Sequence, residues 1–354
     1  MSKVLRWKRR WICLAVTSVQ NVKSGILHVS GCPLKMEPST VVVRYGDPVS
    51  VNCTVSGKHE GIGWEASEGS VDMVSDVNVK FVTWSLETLT DWEISPKCFG
   101  NFLINAEHDQ CDKRLNITVY KPPDSVSISA VNHTGPMLEG EHYQLQCEVQ
   151  NIAPVQYLTV KWYKGETLEN QTSYDALTKT PVNVSSTLLI TPTSTDDGAQ
   201  YSCVAELELG PEGPQPPPEV KSDPFNMIVH YLPFFSDDDD DETLEVTEGE
   251  GVPLRCSAQG NPLPAYSWSS PLDEEEKTSE IQITSASLTP GTHVYTCTAS
   301  NQLGLQSKNF TVKVIPQGDQ TVLWTVIGIG LAVAVFLILG YLYYKSRDGA
   351  NSII

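Results

Sequence analysis

The chain has little positive charge and lacks the residue groupings that catalysis requires. Lysine and arginine number 24 against 43 aspartates and glutamates, a formal net charge of −19 over 354 residues. That balance excludes a nucleic-acid ligand, whose phosphates need a basic face; most of the carboxylates read as solvated surface. No GxSxG, HExxH, P-loop or GxGxxG context occurs, so neither a nucleophile nor a phosphate cradle is laid out for an enzyme. The histidines, His28, His59, His108, His133, His142, His230 and His293, are scattered, and no two cysteines have CxxC spacing. A zinc centre is therefore not expected, nor any cofactor.

Charge is absent from another stretch with a different consequence. Val322 to Tyr344 contains no ionisable acid or base apart from its tyrosines, and as a helix it spans about 34 Å, enough for the hydrocarbon core of a bilayer. Trp324 at one end and Tyr341, Tyr343 and Tyr344 at the other suit the two interfaces. Lys345 and Arg347 place the following side in the cytosol. The expectation is a single-pass type I protein of the plasma membrane with a transmembrane helix at 322–344 and a short tail at 345–354. The span lacks a basic residue that would pair with a signalling adaptor, and the tail lacks tyrosine. At the other end Lys3, Arg6, Lys8, Arg9 and Arg10 precede a short apolar stretch, Trp11 to Val16. Residues 1–31 are read as a leader, with the mature chain starting near Cys32.

Between these ends Cys…Trp…Cys occurs three times: Cys53/Trp64/Cys98, Cys147/Trp162/Cys203 and Cys256/Trp268/Cys297. A disulfide joining facing sheets, with a tryptophan packed on it, is the signature of an immunoglobulin-like sandwich. The expected fold is all-β, three tandem immunoglobulin-like β-sandwiches followed by the helix, with domains at 32–120, 121–231 and 232–316. Tyr201 and Tyr295, each two residues before the second cysteine, fit tyrosine corners; the first unit has Pro96 there instead. Setting aside Cys13 in the leader, eight cysteines remain, which implies four disulfides and an oxidising compartment. The spacings of 45, 56 and 41 positions make each central bridge worth about 4 kcal/mol. Cys32 and Cys111 are expected to form the fourth, on the ground that first and last strands run side by side.

Sequons stand at Asn52, Asn116, Asn132, Asn170, Asn183 and Asn309, and their company with disulfides indicates an N-glycosylated surface. Val49, Val51, Cys53 and Val55 alternate with polar residues as a half-buried strand does, which sends Asn52 outward. Lys121-Pro122-Pro123 marks the first domain boundary, and the prolines between 211 and 218 form a loop before a last strand at Phe225 to His230. The acidic run Asp237 to Asp241 opens domain three as a solvated connector; it lacks the spaced ligands of a calcium loop.

Gly61-Ile62-Gly63-Trp64-Glu65-Ala66-Ser67 puts Glu65 at the end of the third strand of the first domain. This segment resembles the integrin-binding edge of the intercellular and vascular cell adhesion molecules. In domain two, Gly140 to Cys147, Leu158 to Gly165 and Cys203 to Gly213 look like second domains of intercellular adhesion molecules, while domain three is generic. The first domain departs from the family in carrying one cysteine, Cys53, on its second strand instead of two. The resemblance implies an adhesion glycoprotein of immune cell contacts in which Glu65 supplies an oxygen to a divalent cation held by an integrin on another cell. Magnesium favours such a hard oxygen donor. The competing readings are homophilic adhesion and an immune co-receptor that signals through a partner chain; dimerisation is left open.

Overall fold

The structure, a computed structural model, describes residues 31–104, 107–236, 241–270, 277–284, 288–316 and 320–350. The expected leader and most of the acidic run lie outside the described residues. Two compact units are present, the first ending at Val119 and the second starting at Tyr120.

The first unit is built from β1 (Leu34–Glu37), β2 (Thr40–Arg44), β3 (Val49–Val55), β4 (Gly61–Glu65), β5 (Val71–Val74), β6 (Phe81–Leu86), β7 (Lys97–Ile104), β8 (Glu107–Arg114) and β9 (Asn116–Tyr120). One sheet has the order β1-β3-β6 and the other β5-β4-β7-β8, with β2 paired to β9. The alternation read from the sequence decides which side chains enter the space between them. Val49, Val51, Cys53 and Val55 are buried while Ser50 and Asn52 are exposed. Trp64 and Trp84 fill the centre with ring centroids 6.1 Å apart. Burial of so large a ring is worth about 2–3 kcal/mol, provided its N–H finds a partner. Trp64 Nε1 donates to the Val82 carbonyl at 3.1 Å and Trp84 Nε1 to that of Glu68 at 3.0 Å.

Cys53 and Cys98 are bridged with a Cα separation of 6.3 Å, and Cys32 and Cys111 with 5.7 Å. Strand β1 pairs with β3 and β8 with β7, so the second bridge crosses from one sheet to the other, while the start and end of the domain meet where β2 pairs with β9. The strand that lacks a tyrosine corner is held instead at the Pro96 carbonyl, which accepts from Leu115 N at 2.8 Å.

The second unit starts with a sandwich of β10 (Ser125–Ala130), β11 (Met137–Leu138), β12 (Tyr143–Ile152), β13 (Leu158–Lys164), β14 (Thr167–Ser173), β15 (Val182–Ile190), β16 (Gln200–Leu207), β17 (Glu219–Lys221), β18 (Phe225–Asn226) and β19 (Val229–Phe234). Sheet β10-β12-β15 faces β14-β13-β16-β17, with β18 also on β16, and Cys147–Cys203 joins them. Then come β20 (Glu242–Thr247), β21 (Gly251–Arg255), β22 (Gln259–Asn261), β23 (Ala265–Ser269), β24 (Glu280–Thr284), β25 (Gly291–Asn301) and β26 (Gly304–Ile315). Here β20-β26-β25-β23 and β21-β24 enclose Trp268, Phe310 and Cys256–Cys297. Tyr201 and Tyr295 are both buried, but the Tyr295 hydroxyl has no hydrogen-bond partner among the described residues, so it does not close the bond of a tyrosine corner.

Strand β19 serves two sandwiches. It runs parallel to β11 through Met137↔Val229 and Leu138↔His230, then antiparallel to β22 through Tyr231↔Asn261 and Phe234↔Gln259. Asn261 Nδ2 donates to the Val229 carbonyl at 2.9 Å and Asn301 Nδ2 to that of Tyr231 at 2.8 Å. Pairing of β19 with β22 thus starts before β20 in the chain. After β26 comes the helix α1 (Gln320–Ala350), whose stretch Trp324–Lys345 has a mean hydropathy of 2.5 and is long and apolar enough to cross a membrane. The helix continues past the apolar span, so part of the expected tail is helical.

Candidate functional site

Glu65 is the last residue of β4. Ile62 and Trp64 point into the core of the first unit, so alternation turns Gly61, Gly63 and Glu65 to the outer face of the sheet β5-β4-β7-β8. That face is unusual around the two glycines. A Cβ at Gly61 would lie 2.6 Å from Met73 Cγ, and one at Gly63 would lie 2.8 Å from both Phe99 Cζ and the Val71 carbonyl. Without side chains at 61 and 63, Met73 and Phe99 pack over the two glycines of β4 and give an apolar floor to the depression that Glu65 borders.

The carboxylate of Glu65 is two-thirds exposed and its Oε2 meets Lys97 Nζ at 2.7 Å. The pairing follows from register, because Trp64↔Cys98 makes Glu65↔Lys97 the next cross-strand pair. The hydrogen bond and charge of Lys97 hold the Glu65 carboxyl below its ordinary value, with slight desolvation opposing and Arg114 adding to the effect. Lys97 is raised by the same contact. An ion pair this exposed stabilises the fold little. What it does is fix one oxygen, while Oε1 has no hydrogen-bond partner among the described residues. Glu65, Met73, Lys97, Phe99, Gln110 and Asp112 line an open depression of about 410 Å³.

All six sequon asparagines are exposed. In the first unit, Asn52 is on β3, in the opposite sheet, and Asn116 is on β9. None is on β4, β5, β7 or β8, so the face bearing Glu65 carries no site for sugar. Trp64, Trp162 and Trp268 are buried, each in register with the second cysteine of its domain through Trp64↔Cys98, Trp162↔Cys203 and Trp268↔Cys297. Sequence reading missed Lys97, Met73 and Phe99. Lys97 was accessible to it, because a residue that follows the tryptophan faces the one that precedes the second cysteine. Among the described residues no group of three or more His, Cys, Asp or Glu side chains is placed to hold a metal.

Comparison with known proteins identifies the class first. The immunoglobulin-domain family profile matches residues 122–206 and 239–314, and the full ectodomain of mouse nectin-like molecule 4, with domains Ig1–Ig3, superposes with a TM-score of 0.51 at 19% identity over 79% of this chain and 98% of that one. The chain thus carries immunoglobulin domains, and it is similar to the vascular and intercellular adhesion molecules. It is 25% identical to vascular cell adhesion protein 1 of Canis lupus familiaris over 88% of this chain and 43% of that protein. With intercellular adhesion molecule 1 of Rattus norvegicus it shares 30% identity over 52% of this chain and 31% of the other. The chain thus spans less than half the length of either. These relatives are adhesion proteins and not enzymes, in keeping with the missing catalytic motifs.

Proposed function

We propose that this protein is a type I adhesion glycoprotein of the plasma membrane that binds an integrin on another cell through Glu65. The carboxylate completes the coordination of a divalent cation held by the integrin. Magnesium takes oxygen ligands in a strict octahedron and accepts an anionic carboxylate in place of a water. Glu65 suits that role because it is an exposed carboxylate whose Oε2 is taken by Lys97, leaving Oε1 for the metal. Met73 and Phe99 supply apolar area next to the polar contact, the usual composition of an interface centre. One observation carries the reading: an exposed, ionised carboxylate borders an apolar floor on a sheet face free of sequons. The four disulfides suit an extracellular location, and α1 supplies the anchor.

The test uses cells displaying the full-length chain and leukocytes in suspension, with magnesium, with chelator, and with Glu65→Gln, which keeps the shape and removes the charge. Loss of at least tenfold in adhesion under both the chelator and the substitution is expected. Adhesion that persists in both sinks the proposal and favours homophilic contact. Loss in chelator alone moves the metal ligand to another residue.

A further inference from the structure

In the turn after β10, Asn132 adopts φ 53°, a left-handed conformation that asparagine tolerates better than most residues. It is exposed, as is Thr134 of the same sequon, and its side chain makes no hydrogen bond to the described residues. Beside it lies a depression of about 430 Å³ lined by Asn132, His133, His142, Tyr143, Gln144 and Leu189. Its walls are held in place from within the domain. The His133 ring stands edge-on to Tyr143 with centroids 4.7 Å apart, the Tyr143 hydroxyl accepts from Leu138 N at 2.8 Å, and His142 Nδ1 is 2.8 Å from Thr191 Oγ1. Leu189, on the outer face of β15, is 78% exposed. The other outward side chains of that strand, Asn183, Ser185 and Thr187, are polar, so the leucine stands out as an uncovered apolar group.

We propose that the N-linked glycan of Asn132 is seated in this depression, its first sugars packed over Leu189 and Gln144 as a structural part of domain two. An N-acetylhexosamine has one ring face of C–H groups and a rim of hydroxyls and an acetamide. It matches a site that joins an aliphatic side chain, an aromatic edge and a side-chain amide. Attachment bonds Nδ2 to the anomeric carbon of a lipid-pyrophosphate-linked oligosaccharide; Nδ2 loses one proton and the lipid pyrophosphate leaves. Asn183 is the other sequon on this face, but six residues of extended strand place it about 20 Å from Leu189, and its amide oxygen accepts from Asn151 N. The tether at the rim of the depression is Asn132.

The full-length chain, made in secretory cells and held in detergent, is compared with Thr134→Ala, Leu189→Ser and the double variant. Glycopeptide mass spectrometry reads occupancy, and thermal unfolding and amide exchange read packing. Thr134→Ala is expected to remove the sugar, lower the unfolding midpoint by about 3 °C and speed exchange in the peptides around Gln144 and Leu189. Leu189→Ser is expected to give a similar loss with the sugar still attached, and the double variant no further loss. Thr134→Ser, which keeps the sequon, is expected to behave as the parent. An unmodified Asn132, a midpoint unmoved by Thr134→Ala, or losses that add in the double variant each overturn the proposal.

Discussion

Two carboxylates of this chain show how a single lysine changes its chemistry. Glu65 is exposed and Asp196 is buried, yet both are held below their ordinary values. For Asp196 burial opposes ionisation, and Lys164 together with the N–H and hydroxyl of Thr193 outweighs it. A carboxyl depressed in this way contributes stability that is complete above its unfolded value near 3.8 and is lost as pH falls through the lower folded value. Asp196→Ala removes charge-assisted hydrogen bonds from a nearly buried site and is expected to cost domain two about 2–3 kcal/mol, measured by urea unfolding, with the difference shrinking on acidification. Lys97→Met is expected to return the Glu65 carboxyl toward 4.5, read by carbon NMR titration of the side chain. An unmoved titration would show that Lys97 is not the cause. The segment Gly61 to Ser67 made Glu65 legible through the family resemblance, and Lys97 could have been found from the pairing of Trp64 with Cys98, which sets Glu65 opposite it.

At the scale of elements, alternation announced the buried faces and said nothing about partners. Val49 to Val55 fall where the pattern places them. That β1 pairs with β3, and that β19 pairs on both sides, was hidden because a period of two specifies a face and leaves the neighbouring strand open. The pairing of Tyr231 and Phe234 with β22 was equally hidden, because neither residue's pattern names its neighbour. The glycines of β4 carry their own information. Gly63→Ala sets a methyl against the Val71 carbonyl, a backbone atom unable to swing aside, and against the Phe99 ring. The expected cost to the first unit is about 1–3 kcal/mol, visible as a lower urea midpoint. Gly61→Ala first meets the flexible Met73 side chain and is expected to cost less; the reverse order would show that the floor is not packed as described.

For the whole molecule, three repeats of Cys…Trp…Cys and one uncharged span made the architecture readable, since each repeat brings its own core and disulfide. The division of the first unit into a side that carries sequons and a side without them was not readable, as sequons reveal their faces only once strands are assigned to sheets. That division yields a test that needs no knowledge of the partner. Met73→Asn completes a sequon with Ser75 on the edge strand β5 of the bare face, at the depression that Met73 and Glu65 both line. Glycosylation there places a bulky, hydrated chain over the depression without touching the ion pair of Glu65 and Lys97. Magnesium-dependent adhesion is expected to fall at least tenfold, while Met73→Asn with Ser75→Ala, which lacks the sugar, keeps most of it because only part of the apolar floor is lost. Removing the sequons of Asn52 and Asn116 with Thr54→Ala and Thr118→Ala is expected to leave adhesion unchanged. Should the glycosylated Met73→Asn chain adhere as well as the parent, the partner approaches from elsewhere, and the exposed carboxylate of Glu65 belongs to the solvated surface.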